Sequence, residues 1–164
     1  MRQGLTMTMA ALAMVACGGD DGDGGPTDPN ATDGTMTASV SGAAAFAADV
    51  VIGSYTNNVL VISAVQGPTG NSRSIVLTVN NVTGTGQFNF TLPGNGAQYI
   101  ETTGISSASW LTAITQGSGS VTLTTATPTR VVGSFSFTAP ALSGGATGTK
   151  TVSGQFDIVP SNPN

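Results

Sequence analysis

Apolar and polar residues alternate with a period of two from about Thr35 to the end of the chain. A strand places successive side chains on opposite faces of a sheet, so this alternation predicts strands with one buried and one exposed face. Glycine-rich stretches such as QGPTGNS, LPGNGA and LSGGATG interrupt the pattern and supply turns. No helical period of useful length appears, and the helix formers glutamate and lysine are nearly missing. The pattern predicts an all-β domain over residues 35–164.

A chain of 164 residues has room for one such domain. Because the connections between strands are short, we expect neighbouring strands to be antiparallel. The prediction is an antiparallel β-sandwich of about ten short strands, with a flattened up-and-down barrel as the alternative. The predicted strands are 36–41, 44–55, 58–66, 73–81, 86–92, 97–102, 108–115, 118–126, 129–139 and 149–159.

A glycine followed by aromatic or apolar residues at alternate positions occurs three times in these strands. The copies are Gly86-Gln-Phe88-Asn-Phe90, Gly133-Ser-Phe135-Ser-Phe137 and Gly154-Gln-Phe156-Asp-Ile158. A glycine on the inner face weakens a strand unless a cross-strand aromatic ring fills its space. We therefore predict that the five phenylalanines share one core and that the three glycines lie on the same face. The polar residues between them should form a neutral, hydroxyl-rich outer surface.

The first sixteen residues, 1–16, combine one positive charge with a short apolar run, LTMTMAALAMVA. The run is too short to span a bilayer but is typical of a secretory signal peptide. The chain's single cysteine, Cys17, follows at once. From there to Gly34 the chain has five aspartates and no apolar run, so we predict a disordered acidic linker over 17–34.

The residues before Cys17 resemble the bacterial lipoprotein signal, in which an apolar residue and two small residues precede a cysteine. Met14, Val15 and Ala16 hold these positions, with Met14 in place of the preferred leucine. The resemblance implies that Cys17 carries lipid, becomes the amino terminus after cleavage and anchors the protein to a membrane. Since Gly18 rather than aspartate follows, the expected location is the outer membrane. The competing interpretation, cleavage at the ALA triplet, leaves an exported protein with an unpaired thiol, which is a liability.

The rest of the chain resembles a family of small, uncharacterised bacterial envelope lipoproteins with an all-β domain. The resemblance rests on TASVSGAAAFAA, GAQYIETTG, GSGSVTLT, GSFSFTA and KTVSGQFDIV, which occur in this order between Met36 and Val159. Phe46 stands where relatives more often have tryptophan. The resemblance implies an all-β envelope lipoprotein and brings no established activity and no catalytic residues.

Composition restricts the chemistry of the predicted domain. The chain has no histidine, and only 7% of its residues are charged. The predicted domain is formally neutral, which argues against nucleic acid and against electrostatic docking to an anionic membrane. Candidates for general acid–base catalysis reduce to Asp49, Glu101, Asp157 and Lys150, with the two tyrosines as weak reserves, and the three acids are scattered along the chain.

We therefore expect a non-catalytic binding or structural module, without a cofactor or a metal site, whose protein or glycan partner the sequence does not identify. A carrier of a small apolar ligand is the second hypothesis, and it requires a cavity lined by Phe46, Tyr55 or Trp110. A glycoside hydrolase is the third hypothesis, and it requires two carboxyl groups about 5–10 Å apart across a cleft.

Overall fold

The computed structural model describes residues 34–161, which form eleven strands. The strands are β1 (Gly34–Val40), β2 (Phe46–Ala47), β3 (Val50–Thr56), β4 (Val59–Gln66), β5 (Asn71–Val79), β6 (Gly86–Asn89), β7 (Gly96–Thr103), β8 (Ser106–Thr112), β9 (Ser118–Thr127), β10 (Arg130–Ser143) and β11 (Thr149–Ile158). Every strand pairing is antiparallel, and the predicted all-β class is confirmed. Residues 34–161 contain no helix of the length and apolarity that a membrane crossing requires.

The strands belong to one curled sheet in the order β2-β1-β11-β10-β8-β7-β5-β4-β3, with β9 and β6 branching from β10. The long strand β10 serves both halves of this sheet. Up to Pro140 it pairs with β11, and its end pairs with β8 across a register shift between Ala141 and Ser143. We call β1, β2, β6, β9, β11 and the start of β10 the first layer, and β3, β4, β5, β7 and β8 the second layer. The arrangement is consistent with a sandwich or a flattened barrel.

The predicted strand 44–55 is two strands, because the chain changes layers within it. Strand β2 pairs with β1 in the first layer, and β3 pairs with β4 in the second. At the crossing, the Ala48 N–H donates to the Met36 carbonyl at 2.9 Å, and the Asp49 N–H donates to the Val65 carbonyl at 2.8 Å. The buried positions shift by one residue across this change, from Phe46 to Val51. The run of small and apolar residues AFAADVVI hides this shift in the sequence.

Two rows of inner-face residues show how the first layer packs against the core. The rows are Met36-Phe156-Gly133-Leu123-Gly86 and Ala38-Gly154-Phe135-Val121-Phe88, each crossing β1, β11, β10, β9 and β6. A Cβ added to Gly133 would lie 2.9 Å from Phe156 Cζ, and one added to Gly154 would lie 2.8 Å from Phe135 Cζ. The rings therefore cover these two glycines, as predicted.

The predicted phenylalanine core is confirmed. Phe90, Phe135, Phe137 and Phe156 are buried, and Phe88 is partly buried and packs against the same cluster. Gly86 lies in the inner-face row as predicted, but no ring covers it, because this glycine is exposed and a Cβ added to it would have no neighbour within 4 Å. Strand β6 pairs with β9 alone, so no strand on its other side brings a ring over Gly86.

Candidate functional site

The outer face of the first layer carries polar side chains between the core positions. Two complete rows cross β1, β11, β10, β9 and β6: Thr37-Gln155-Ser134-Thr122-Gln87 and Ser39-Ser153-Ser136-Ser120-Asn89. All ten residues are uncharged, and all except the half-buried Ser120 are exposed. Neighbours lie about 4.8 Å apart across the strands and about 6.6 Å apart along them. We call this surface the hydroxyl–amide face, and it matches the neutral outer surface that the alternation predicts.

Two grooves of about 500 and 520 Å³ lie on the hydroxyl–amide face. The first is lined by Thr35, Thr37, Thr124, Val132, Gly133, Ser134, Gln155, Phe156 and Asp157. The second is lined by Thr37, Ala38, Ser39, Ala45, Phe46, Ala47, Ser134, Ser153, Gly154 and Gln155. Because Thr37, Ser134 and Gln155 line both, the two adjoin, and together they form a shallow groove over the outer sides of β1, β11 and β10. We call it the face groove.

The three side chains at the centre of the face groove are available to a ligand. In the part of the chain that the structure describes, the side chains of Thr37, Ser134 and Gln155 make no hydrogen bond to protein. Other polar side chains of this layer do, since Gln87 Nε2 donates to Ser120 Oγ at 2.9 Å. The centre of the groove therefore offers two hydroxyls and one amide with free donors and acceptors.

One end of the face groove carries a carboxylate that is already neutralised. Arg130 Nε donates to Asp157 Oδ1 at 2.9 Å, and Arg130 Nη2 donates to Asp157 Oδ2 at 2.6 Å. This bidentate hydrogen bond lowers the pKa of the Asp157 carboxyl below its ordinary value. The groove therefore carries no net charge, and its lining combines polar side chains with small and apolar ones.

At the other end of β11, an ion pair between Lys150 and Glu101 connects the two layers. Lys150 Nζ on β11 lies 3.3 Å from Glu101 Oε1 on β7, and the Tyr99 hydroxyl donates to the same oxygen at 2.9 Å. The ammonium also lies 5.0 Å from the centroid of the Trp110 ring, a cation–π distance. Burial, followed by the hydrogen bond to Glu101, raises the pKa of the Tyr99 hydroxyl. Glu101 Oε1 therefore accepts hydrogen bonds from both Tyr99 and Lys150, and the bond to Lys150 connects the first layer to the second.

At this same end, the side chains of Arg73 and Asp49 form hydrogen bonds with the backbone of neighbouring loops. Arg73 lies opposite Glu101 in the β5–β7 register, and its guanidinium donates to the carbonyls of Ala44 at 2.5 Å and Ala45 at 2.8 Å. Asp49 Oδ2 accepts the N–H of Gly67 at 2.7 Å. These hydrogen bonds stabilise the positions of the neighbouring loops.

The structure brings two of the four predicted acid–base candidates together, Glu101 and Lys150, and places Asp49 and Asp157 outside this ion pair. Lys150, which contacts Glu101, is separated from Asp157 by about 23 Å along β11. Asp49, Glu101 and Asp157 are each held by a different protein donor. Among residues 34–161, no group of three or more side chains has the composition to hold a metal ion.

The aromatic residues proposed for a carrier cavity are part of the packed core. Phe46, Tyr55 and Trp110 are buried members of the central cluster. The Tyr55 hydroxyl donates to the Val82 carbonyl at 2.8 Å, and Trp110 Nε1 donates to the Thr147 carbonyl at 3.2 Å. All three rings therefore pack in the core, and those of Tyr55 and Trp110 also donate hydrogen bonds within the fold.

Sequence reasoning missed the face groove as a site. Its centre joins Thr37 on the first strand, Gln155 on the last strand and Ser134 on the strand between them in space. No local pattern indicates that β1 pairs with β11. The alternation predicts that these side chains lie on the outer face of the sheet. Only the long-range strand pairing shows that they are neighbours.

The fold and this surface define an all-β domain whose outer face carries a groove without a net charge. The chain belongs to the family described as a domain of unknown function, DUF6252, which matches residues 33–160. The expected membership of an uncharacterised family is thereby confirmed. No curated protein and no solved structure matches the chain. The predicted lipidation site, Cys17, and residues 18–33 of the predicted linker lie outside the described residues.

Proposed function

We propose that this protein is a bacterial lipoprotein of the cell envelope, anchored in the outer membrane through Cys17, whose β domain binds an envelope component without catalysing a reaction. The anchor is supported by the apolar run and the MVA sequence that precede the single cysteine. The binding role is supported above all by the face groove, where the exposed side chains of Thr37, Ser134 and Gln155 use none of their hydrogen-bonding capacity within the domain.

The absence of catalysis is supported by the residues of the chain and by their partners. The sequence has no histidine to transfer protons near neutral pH, and its single thiol is the proposed lipid attachment site. Glu101 is occupied by Tyr99 and Lys150, and Asp157 is occupied by Arg130. General acid–base catalysis needs a proton-exchanging group within hydrogen-bond reach of a substrate, and both carboxylates face protein donors in the described residues.

The position of the groove suits a tethered binding module. The linker joins the domain at Gly34, and the next residue, Thr35, lines the face groove. The sequence predicts a disordered linker over 17–34, and a disordered chain of this length reaches about 20 Å, which is enough to separate the domain from lipid headgroups. The tether therefore holds the groove close to the envelope while leaving its surface accessible.

Membrane fractionation and intact mass test the anchor. Wild-type protein should be membrane-bound and begin at an acylated Cys17, whereas Cys17→Ser should lose the lipid and leave the membrane fraction. A mature chain that begins at Met14, or a Cys17→Ser variant that remains equally membrane-bound, contradicts the anchor.

Cross-linking in intact envelopes tests the binding role. A photoreactive amino acid at Ser134, in the face groove, should give a specific adduct that excess unlabelled protein suppresses. The matched control places the same amino acid at Val61, which is exposed on the outer face of the second layer. Equal adducts from both positions, or none from Ser134, contradict a binding role for the groove.

A further inference from the structure

We propose that the ligand of the face groove is a neutral polysaccharide, bound as an extended chain along the outer sides of β1 and β11. This inference rests on the proposed binding function and names its ligand class. It follows from the hydrogen-bonding chemistry of the groove, its charge, its lack of exposed aromatic anchors and its length.

The polar groups of the groove require a ligand that both donates and accepts hydrogen bonds. A threonine or serine hydroxyl donates one hydrogen bond and accepts others, and the glutamine amide presents two donors and a carbonyl acceptor. Thr37, Ser134 and Gln155 present these groups together at the point where the two halves of the groove meet. Sugar hydroxyls have the same dual character, so they pair with this surface in many orientations.

The charge of the groove excludes ionic polymers. Asp157 is the one charged residue among those that line it, and Arg130 neutralises it through two hydrogen bonds. A nucleic acid or an acidic polysaccharide needs free cations to neutralise it, and the lining provides none. A basic ligand likewise finds no free carboxylate there.

The groove also lacks the anchors of a protein interface. Binding energy between proteins concentrates on exposed tryptophan, tyrosine and arginine side chains that fill pockets. The aromatic residues of the lining, Phe46 and Phe156, are only 1% and 2% exposed and belong to the core. The exposed Ala45 and Ala47 supply only small methyl groups along one wall.

The length of the groove favours a polymer over a single sugar. Its lining runs from Thr35 to Ser39 along β1 and from Asp157 to Ser153 along β11, about 13 Å in each case. Polar side chains recur at every second residue, about 6.6 Å apart. An extended oligosaccharide contacts several of these positions at once, whereas a monosaccharide reaches only one part of the groove.

Titration calorimetry on the mature protein, purified in detergent, tests the ligand class. The probes are dextran, galactomannan and glucose oligomers of increasing length, with polygalacturonate as the anionic counterpart. At least one neutral probe should bind. The affinity should rise with oligomer length, and added salt should not change the affinity. Binding of none of the neutral probes, or tighter salt-sensitive binding of polygalacturonate, overturns the inference.

Matched variants assign the binding to the groove. The triple variant Thr37→Ala/Ser134→Ala/Gln155→Ala should lower the affinity by about tenfold or more. The control, Thr122→Ala/Ser136→Ala, alters exposed residues of the same face outside the groove lining and should keep the affinity within about twofold. Equal losses in both variants overturn the assignment. A specific cross-link at Ser134 in envelopes, combined with no binding of the neutral glycans in calorimetry, would support the binding function and contradict the ligand class.

Discussion

The same glycine–aromatic motif has two different environments in this domain. In β10 and β11 two copies lie side by side, so that Gly133 is opposite Phe156 and Gly154 is opposite Phe135. In β6 the third copy lies at a sheet edge, where Gly86 is exposed and Phe88 is only partly buried. The motif itself is therefore not sufficient for burial, because the number of paired neighbours decides whether a ring covers the glycine.

The two central copies also organise the aromatic core. The Phe135 ring stacks on Phe156 at 6.3 Å between centroids and on Phe137 at 6.1 Å, with 24° between the planes in each case. Phe90, just beyond the end of β6, meets Phe137 edge-on at 6.0 Å. The edge copy therefore reaches this group of rings through its last aromatic residue, while Phe88 contacts the margin of the core.

The largest expected effect comes from removing the central ring. Phe135→Ala should lower the free energy of unfolding by about 3–5 kcal/mol, because a fully packed phenylalanine leaves a cavity. Phe88→Ala should cost less, about 1–2 kcal/mol, since part of that ring is already in water. Urea denaturation of both variants measures the difference. Equal losses would remove the distinction between the central and the edge motif.

A methyl group on a central glycine should have the next largest effect. In Gly154→Ala the new Cβ would overlap the Thr37 carbonyl oxygen and lie 2.8 Å from Phe135 Cζ. Because one of these neighbours is backbone within the β1–β11 pairing, the strands must shift, and we expect a loss of about 1–3 kcal/mol. Urea denaturation of Gly154→Ala measures this loss. An unchanged unfolding midpoint would show that the rings do not fit over Gly154 as closely as this packing requires.

The matching change at the edge should cost less and for a different reason. A Cβ added to Gly86 meets nothing within 4 Å, but this residue has a φ of +144°, which L-amino acids with side chains rarely adopt. Gly86→Ala should therefore lower stability by about 1 kcal/mol through backbone strain, without disturbing the ring packing. Near-UV circular dichroism should stay as in the wild type. A loss equal to that of Gly154→Ala, with altered aromatic signals, would contradict the open environment.

The fold was predictable where the signal was local. Strands β10 and β11 are joined by a short glycine-rich turn, so their alternation and shared motif pointed to a common core. The edge position of β6 depends on its pairing with β9 alone, which no local pattern contains. The face groove likewise depends on Thr37 meeting Gln155, from the first and last strands. Periodicity determines the face of each residue, and tertiary pairing determines its neighbours.

The smallest expected effect tests the face assignment itself. Ser136 lies between Phe135 and Phe137 in β10, is exposed, and makes no side-chain hydrogen bond in the described part of the chain. Ser136→Ala removes neither core volume nor a protein hydrogen bond, so the free energy of unfolding should change by less than about 0.5 kcal/mol. Paired urea titrations of Ser136→Ala and Phe135→Ala measure both faces of one strand. Comparable losses from the two variants would mean that β10 is rotated, which would also move Ser134 out of the face groove.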